Sequence, residues 1–243
     1  KGIAESLRPG GSYTIVIKST VPVGTNEMVS QKLSQLLNQR NVSCDVHIVS
    51  NPEFLREGMA LQDTFYPERI VVGTRSRKAI SDLQQLYQPI TQQTFTPPEF
   101  LPRPNGLQLP HFIIVEPASA EMIKYAANAF LALKISFINE IAGLCEKVGA
   151  DITDVAKGIG TDKRIGNSFL NAGIGWGGSC FPKDTLALLE LARQKGYAMP
   201  IVAAAREVNY RMRKEAVAKL RKHLGDFKGK KVAVLGLAFK PGT

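Results

Sequence analysis

Residues 177–184 read GGSCFPKD, which puts Cys180 after two glycines and a serine, with Lys183 three residues on and Asp184 four residues on. A cysteine attacks carbon as its thiolate, a nearby cation favours that form, and a carboxylate close by gives protons somewhere to go. A buried structural cysteine needs none of these neighbours, although Cys180 taken alone also reads as inert. The glycines at 173, 175 and 178 spell GxGxxG, but a dinucleotide fingerprint follows a strand, opens a helix and has an acid about 20 residues on. Here NSFLN precedes and SCFP follows. The glycines are therefore assigned to a backbone cradle that wraps a ligand and presents Cys180.

Two other places carry polar groups suited to chemistry. Ser19-Thr20-Val-Pro-Val-Gly and Ser50-Asn-Pro-Glu-Phe-Leu-Arg-Glu each follow an apolar, β-rich run. Ligands of open α/β sheets gather at such carboxyl ends of strands. Further on, Lys124 and Asn128 interrupt the longest apolar stretch at a spacing of four, one face of a helix. Idle polar groups are costly in such surroundings, so a role is expected, with a solvated stripe as the alternative. Thr20 also reads as a turn hydroxyl, and Asp184 as the cap of a helix beginning at Thr185.

The elements that must hold these residues follow from periodicity. Strands are expected at 14–19, 45–50 and 69–73, with a helix at 25–40 and another near 77–87, an order that argues for a parallel sheet covered by helices. Residues 89–112 hold six of the fourteen prolines and read as an irregular excursion. A helix capped by Ser119 runs to about 149, apolar almost all round, as for a helix buried in a core or against a second subunit. Helices at 151–159, 184–195 and 200–224 make the middle of the chain all-α. Residues 230–240 read as a strand entering a glycine turn, the start of a new α/β unit, and residues 2–7 as the tail of a helix. The expectation is a piece of a longer protein.

Composition excludes some classes. With 243 residues, 44% hydrophobic and 21% charged, the chain is globular. Three scattered cysteines, Cys44, Cys145 and Cys180, support neither a disulfide framework nor a cysteine-rich zinc site, and no metal site is expected. A reducing cytoplasm fits. Neither a signal peptide nor a clean membrane span is read, and no membrane partner is expected. The net charge of +10 is local: residues 206–231 hold ten Lys or Arg against three Asp or Glu. No zinc-finger or RNP pattern accompanies it, so a solvated helix face or an acidic small ligand is expected rather than nucleic acid.

The segments STVPVGT at 19–25, NPEFLREG at 51–58, EMIKYAANAFLALKISFINEIAGLCE at 121–146, RIGNSFL at 164–170, GWGGSCFPKD at 175–184 and VAVLGLAFKPGT at 232–243 together resemble the UDP-glucose/GDP-mannose dehydrogenase family. The resemblance runs the length of the chain, apart from the proline-rich excursion, and lies nearer the UDP-glucose branch than the GDP-mannose or UDP-N-acetylmannosamine branches.

It implies an α/β fold: an incomplete Rossmann-like parallel sheet at 1–116 that binds NAD, an all-α central domain with a long buried helix at 117–226 that dimerises, and at 227–243 the first strand of a second Rossmann-like domain that binds UDP-sugar. It implies a four-electron, NAD-dependent oxidation of a nucleotide sugar's primary alcohol to a carboxylate, with UDP-glucose giving UDP-glucuronate. Cys180 carries the thiohemiacetal and thioester. Lys124 and Asn128 stabilise the oxyanion, Glu53 is the general acid or base, and Thr20 and Asp184 hold a water. Thr20 and Glu57 contact NAD. Phe54, Leu55, Arg56, Lys124, Asn128, Phe169, Asn171, Gly173, Gly177 and Lys240 contact the sugar nucleotide, and Arg164 reaches a neighbouring subunit's site. The partners implied are the UDP-sugar and a second copy in a homodimer or higher oligomer. The sequence lacks the family's N-terminal glycine fingerprint and its ribose-binding acid. The alternatives are a dehydrogenase of GDP-mannose or UDP-N-acetylmannosamine, or a non-catalytic dimeric binding module.

Overall fold

The computed structural model describes all 243 residues. The chain divides into two compact units, Lys1–Lys124 and Tyr125–Thr243.

The first unit is a four-stranded sheet with helices against it. In chain order it holds α1 (Gly2–Ser6), β1 (Ser12–Ile17), α2 (Thr25–Gln39), β2 (Asp45–Ser50), α3 (Ala60–Phe65), β3 (Arg69–Gly73), α4 (Arg77–Thr91), β4 (His111–Val115) and the start of α5 (Pro117–Val148). The strands lie in sequence order. β1 and β2 run parallel from Ser12 beside Asp45 to Ile17 beside Ser50, as do β3 and β4 from Arg69 beside His111 to Gly73 beside Val115. The expected all-parallel sheet is corrected at its middle, where β2 and β3 meet antiparallel through the single pair Ser50 and Gly73. A parallel return needs a crossover that travels back along the sheet. The connection between β2 and β3 offers the six-residue α3, about 9 Å long at 1.5 Å per residue, and β3 comes back reversed.

Alternation within the strands sends side chains to two cores. Ile15, Ile17, Val46 and Ile48 pack under α1 and α2 with Leu33 and Leu37. Val16, Val49, Ile70 and Val72 pack under α4 with Ala79 and Leu83. Ser76 caps α4 by accepting from Ala79 N. The helix runs through Pro89, beyond the expected end near 87. A proline close to the C-terminus removes one backbone bond and leaves few others to break. The proline-rich excursion is anchored: Arg103 donates to the carbonyls of Gln93 (2.8 Å) and Phe95 (3.1 Å), Tyr66 Oη donates to Leu101 O, and Phe95 packs on Phe65 and Tyr66. It ends in β4, a strand hidden from the sequence reading because His-Phe-Ile-Ile-Val directly follows the prolines.

The second unit holds the rest of α5, then α6 (Ile152–Gly160), α7 (Cys180–Gln194) and α8 (Pro200–Leu224). α5 opens with Pro117, whose missing N–H costs nothing in the first turn, so Ser119 lies inside the helix instead of capping it. Tyr125 and Ala129 pack with Leu188 of α7 and Val202 of α8. Beside them runs a buried polar chain: Trp176 Nε1 donates to Ser136 Oγ (2.9 Å), Ser136 Oγ to Ala205 O (2.6 Å), and Asn209 exchanges bonds with both the N–H and C=O of Trp176.

By length and composition α5 is apolar enough to cross a membrane, with a mean hydropathy of 1.3 over its most apolar stretch. Asn128, Ser136 and Asn139 are buried along it and each hydrogen-bonds another part of the unit, the pattern of a core helix. Within the chain that burial is one-sided: Phe130, Phe137, Leu144 and Val148 stand exposed on one face, Phe130 at 61%, which leaves the second-subunit alternative open. Residues 230–240 form no strand. An isolated strand has no neighbour to share its backbone hydrogen bonds, and Leu235 and Leu237 are almost fully exposed.

Candidate active site

In the first unit the loops that leave the parallel strands β1 and β2 bring together Thr20 and Glu53, 33 residues apart in sequence. Thr20 Oγ1 donates to Glu53 Oε1 at 3.2 Å. Lys124 of α5 is buried, and its Nζ lies 4.0 Å from the same oxygen. The other oxygen, Glu53 Oε2, is buried without a hydrogen-bond partner. Two cations lie over the Phe54 ring, Arg69 at 4.1 Å and Lys124 Nζ at 5.2 Å from its centroid. The residue Lys18 is exposed overall, yet its ammonium lies 5.7 Å from the Tyr87 ring centroid. Desolvation there holds it below the ordinary lysine range, with Glu53's charge opposing.

The neighbours of Glu53 divide. Leu55 and Glu57 are exposed on the loop. Arg56 is committed to Asp63: its backbone N donates at 2.7 Å and its guanidinium grips both carboxylate oxygens, which raises its pKa further.

In the second unit Cys180 is the first residue of α7, at the positive end of the helix dipole. This corrects the reading of Asp184 as a cap. Pro182 falls in the first turn, where a missing N–H is harmless, so the helix begins at Cys180 and Asp184 lies one turn inside it. At a spacing of four the two share a face of α7. Asp184 is 1% exposed and accepts from Asn128 Nδ2 at 2.6 Å and from Lys183 Nζ. Burial works against the charge on Lys183, but the hydrogen bond and charge of Asp184, with Tyr125 and Cys180 adding, hold its pKa above the ordinary lysine value.

The first turn of α7 is clamped by Arg206, which the sequence reading missed: its Nη1 donates to Pro182 O at 2.9 Å and to Thr185 Oγ1 at 2.6 Å. A cation in the apolar half of α8 is the signal that marks it. Phe181 stacks edge-on with Trp176 and tilts against Phe169, which has a positive φ of 65°. Asn171 is exposed, and Gly173 N is held by Asn139 Oδ1 at 2.7 Å. Gly178 faces the ring of Phe239, which a Cβ there would approach within 2.8 Å, and Gly177 lies beside Phe239 Cβ. The neighbouring Lys240 Nζ lies 5.7 Å from the same ring. Arg164 is exposed and pairs with Asp162, apart from the other candidates. No group of three or more His, Cys, Asp or Glu side chains is arranged to hold a metal.

The structure thus joins Thr20, Glu53, Phe54 and Lys124 in one unit. In the other it joins Asn128, Asp184 and Lys183, with Cys180 on the same helix face. Lys124 and Asn128 lie one turn apart on the continuous α5.

Comparisons with known proteins address the family. Residues 1–91 match the NAD binding domain, and residues 118–211 the central domain, of the UDP-glucose/GDP-mannose dehydrogenase family. The chain is 51% identical to the UDP-glucose 6-dehydrogenase TuaD of Bacillus subtilis over 100% of its own length and 48% of that protein's. It is 45% identical to the UDP-glucose 6-dehydrogenase of Rhizobium meliloti over 99% of its length and 51% of that protein's. Among solved structures, a UDP-glucose dehydrogenase from the archaeon Pyrobaculum islandicum superposes with a TM-score of 0.77 at 39% identity, over 92% of this chain and 46% of that one. The chain spans about half the length of the curated relatives it matches. Two domain matches that together take in most of the chain, and likeness to these relatives along its whole length, lead to one conclusion: the chain belongs to the UDP-glucose/GDP-mannose dehydrogenase family.

Proposed function

We propose that the chain carries the cysteine-dependent machinery of an NAD-linked, four-electron oxidation of UDP-glucose to UDP-glucuronate, in a cytoplasmic enzyme. The observation that carries this reading is Cys180 at the N-terminus of α7, one turn from a buried Asp184 that is bonded to Asn128 and Lys183. A structural cysteine has no use for a buried, multiply bonded carboxylate on its own helix face.

NAD fits the first unit at the carboxyl ends of β1 and β2, where open sheets hold nucleotides and where Thr20 and Glu57 stand. Bound there, NAD would supply the hydride acceptor, one molecule for each of the two oxidations. The protein's own groups do the rest. Glu53, through its idle Oε2, takes the proton of the sugar's primary hydroxyl, and Thr20 fixes its other oxygen. The Cys180 thiolate then adds to the aldehyde carbon, placing a negative charge on oxygen that Lys124 and Asn128 stabilise. The resulting thiohemiacetal can give up a second hydride, which a bare aldehyde cannot do. The thioester left behind is cleaved by water positioned by Thr20 and Asp184, which releases the carboxylate and restores the thiol. Phe54, Leu55, Arg56, Phe169, Asn171, Gly173, Gly177 and Lys240 bind the sugar nucleotide, and Arg164 serves a neighbouring subunit's site. The exposed stripe Phe130, Phe137, Leu144 supports a homodimer formed through α5.

The test replaces the matching half of the Bacillus relative with this chain and supplies UDP-glucose and NAD. Two NADH per sugar are expected, with Cys180→Ser stalled after the first oxidation. Turnover of GDP-mannose or UDP-N-acetylmannosamine in place of UDP-glucose refutes the substrate. A full four-electron yield from Cys180→Ser refutes the mechanism, and a fully inert chimera with both cofactor and sugar bound favours a binding module.

A further inference from the structure

Glu121 lies on α5 one turn before Lys124 and is 3% exposed, a buried carboxylate in an apolar helix that the reaction above leaves unused. Its two oxygens are fully spoken for. Oε2 accepts from Gly24 N at 2.6 Å, and Oε1 accepts from Asn26 N at 2.8 Å and from Ser50 Oγ at 3.1 Å. Ser50 Oγ in turn accepts from Asn26 Nδ2 at 3.1 Å.

These partners are the ends of particular elements. Gly24 is the N-cap of α2, with a left-handed φ of 98° and no side chain to cap with, so the first amides of α2 are orphans that Glu121 satisfies from 95 and 97 residues away. The dipole of α2 and three hydrogen bonds offset the desolvation of the charge. Gly24 closes the loop that begins at Ser19 and carries Thr20. Ser50 is the last residue of β2, three before Glu53. Lys124 is on Glu121's own helix, three residues on. One carboxylate therefore fastens the three segments that bear Thr20, Glu53 and Lys124.

We infer that Glu121 is a positioning residue: it sets the Thr20–Glu53–Lys124 geometry by tying the 19–24 loop, the end of β2 and the first turns of α5 to a single group. The inference rests on reading those three residues as one proton-handling group. Its test needs no turnover, so its failure is distinct from failure of that reading.

In Glu121→Gln one acceptor becomes an NH2 that must face an N–H donor. Amide exchange at Gly24 or Asn26 is expected to rise at least about tenfold, as for the loss of a hydrogen bond to a charged group. At fixed pH, the carboxyl 13C signal of Glu53 and the methyl signal of Thr20 should move, while Glu27→Gln, an acid on the first turn of α2, should leave both in place. A role confined to stabilising α2 would lower the melting temperature and raise exchange without moving either signal, and that result overturns the inference. Should Glu121→Gln fail to fold, Ser50→Ala removes one donor and keeps both backbone caps. It should move the Glu53 signal, and an unchanged Glu53 signal in that folded variant equally overturns the inference.

Discussion

Asn128 Nδ2 donates to Asp184 Oδ2 at 2.6 Å across 56 residues of sequence, joining α5 to α7 with both side chains buried. This bond fixes the amide, since only its nitrogen can face the carboxylate, and leaves the Asn128 oxygen free of that contact. Asn128→Ala leaves the buried carboxylate short of a donor, and a loss of about 1–3 kcal/mol is expected. Urea unfolding of the variant measures it; an unchanged midpoint contradicts the geometry.

Arg206 is predicted to act on the first turn of α7, because it donates both to Pro182 O and to Thr185 Oγ1. Arg206→Met keeps much of the stem and removes both bonds. Hydrogen exchange in residues 180–186 should accelerate, and the Cys180 thiol should react with a disulfide reagent at a changed rate while Cys44 does not. Equal behaviour of wild type and variant in both measurements refutes the clamp.

Gly178 has φ +78° and faces the Phe239 ring. Gly178→Ala should therefore carry two penalties, one for the left-handed backbone, about 1–2 kcal/mol, and one for the ring contact. Adding Phe239→Ala should relieve only the second. A double-mutant cycle on thermal stability separates them, and full recovery in the double variant would mean the backbone is not strained.

Lys183 has a pKa raised above the ordinary lysine value. A raised cation contributes stability fully below its unfolded-state value, about 10.4, and that contribution disappears as pH climbs through the higher folded-state value. Its side chain is 58% exposed, so salt screens the effect. The urea midpoint of the wild type should fall more steeply than that of Lys183→Met above the lysine range. Parallel curves would sink this.

Glu190 moves the other way. Hydrogen bonds from Arg193 and then Gln194 hold its carboxyl down at about 2. A lowered acid contributes stability above its ordinary value and loses it as pH falls toward the folded one. A carbon-detected NMR titration should place Glu190 near that value in the wild type and clearly higher in Arg193→Met, though still below an ordinary glutamate because the Gln194 bond remains; an unmoved Glu190 would contradict this.

Much of this was readable from the chain. The strands at 45–50 and 69–73 and the helix at 200–224 have the bounds that alternation and apolar periodicity indicated, because those signals are local. The GGSCFPKD motif and the spacing of Lys124 and Asn128 were legible for the same reason: each lies within a turn or two of helix. The reversal of β3 was not, because an isolated strand pattern carries no record of its neighbour's direction. The start of α7 at Cys180 was hidden by Pro182, whose cost depends on whether it lies in a first turn or an interior one.

What the sequence by itself determined is the inventory: which side chains can do the chemistry, and which short segments carry them. Only the tertiary structure decided the pairings of Thr20 with Glu53, Glu53 with Lys124 and Asn128 with Asp184, and the service of Glu121 as a cap for a helix it does not belong to. Local propensity acts over a few residues, whereas a buried polar group is satisfied by whichever partner packing brings within about 3 Å, however far away in the chain that partner lies.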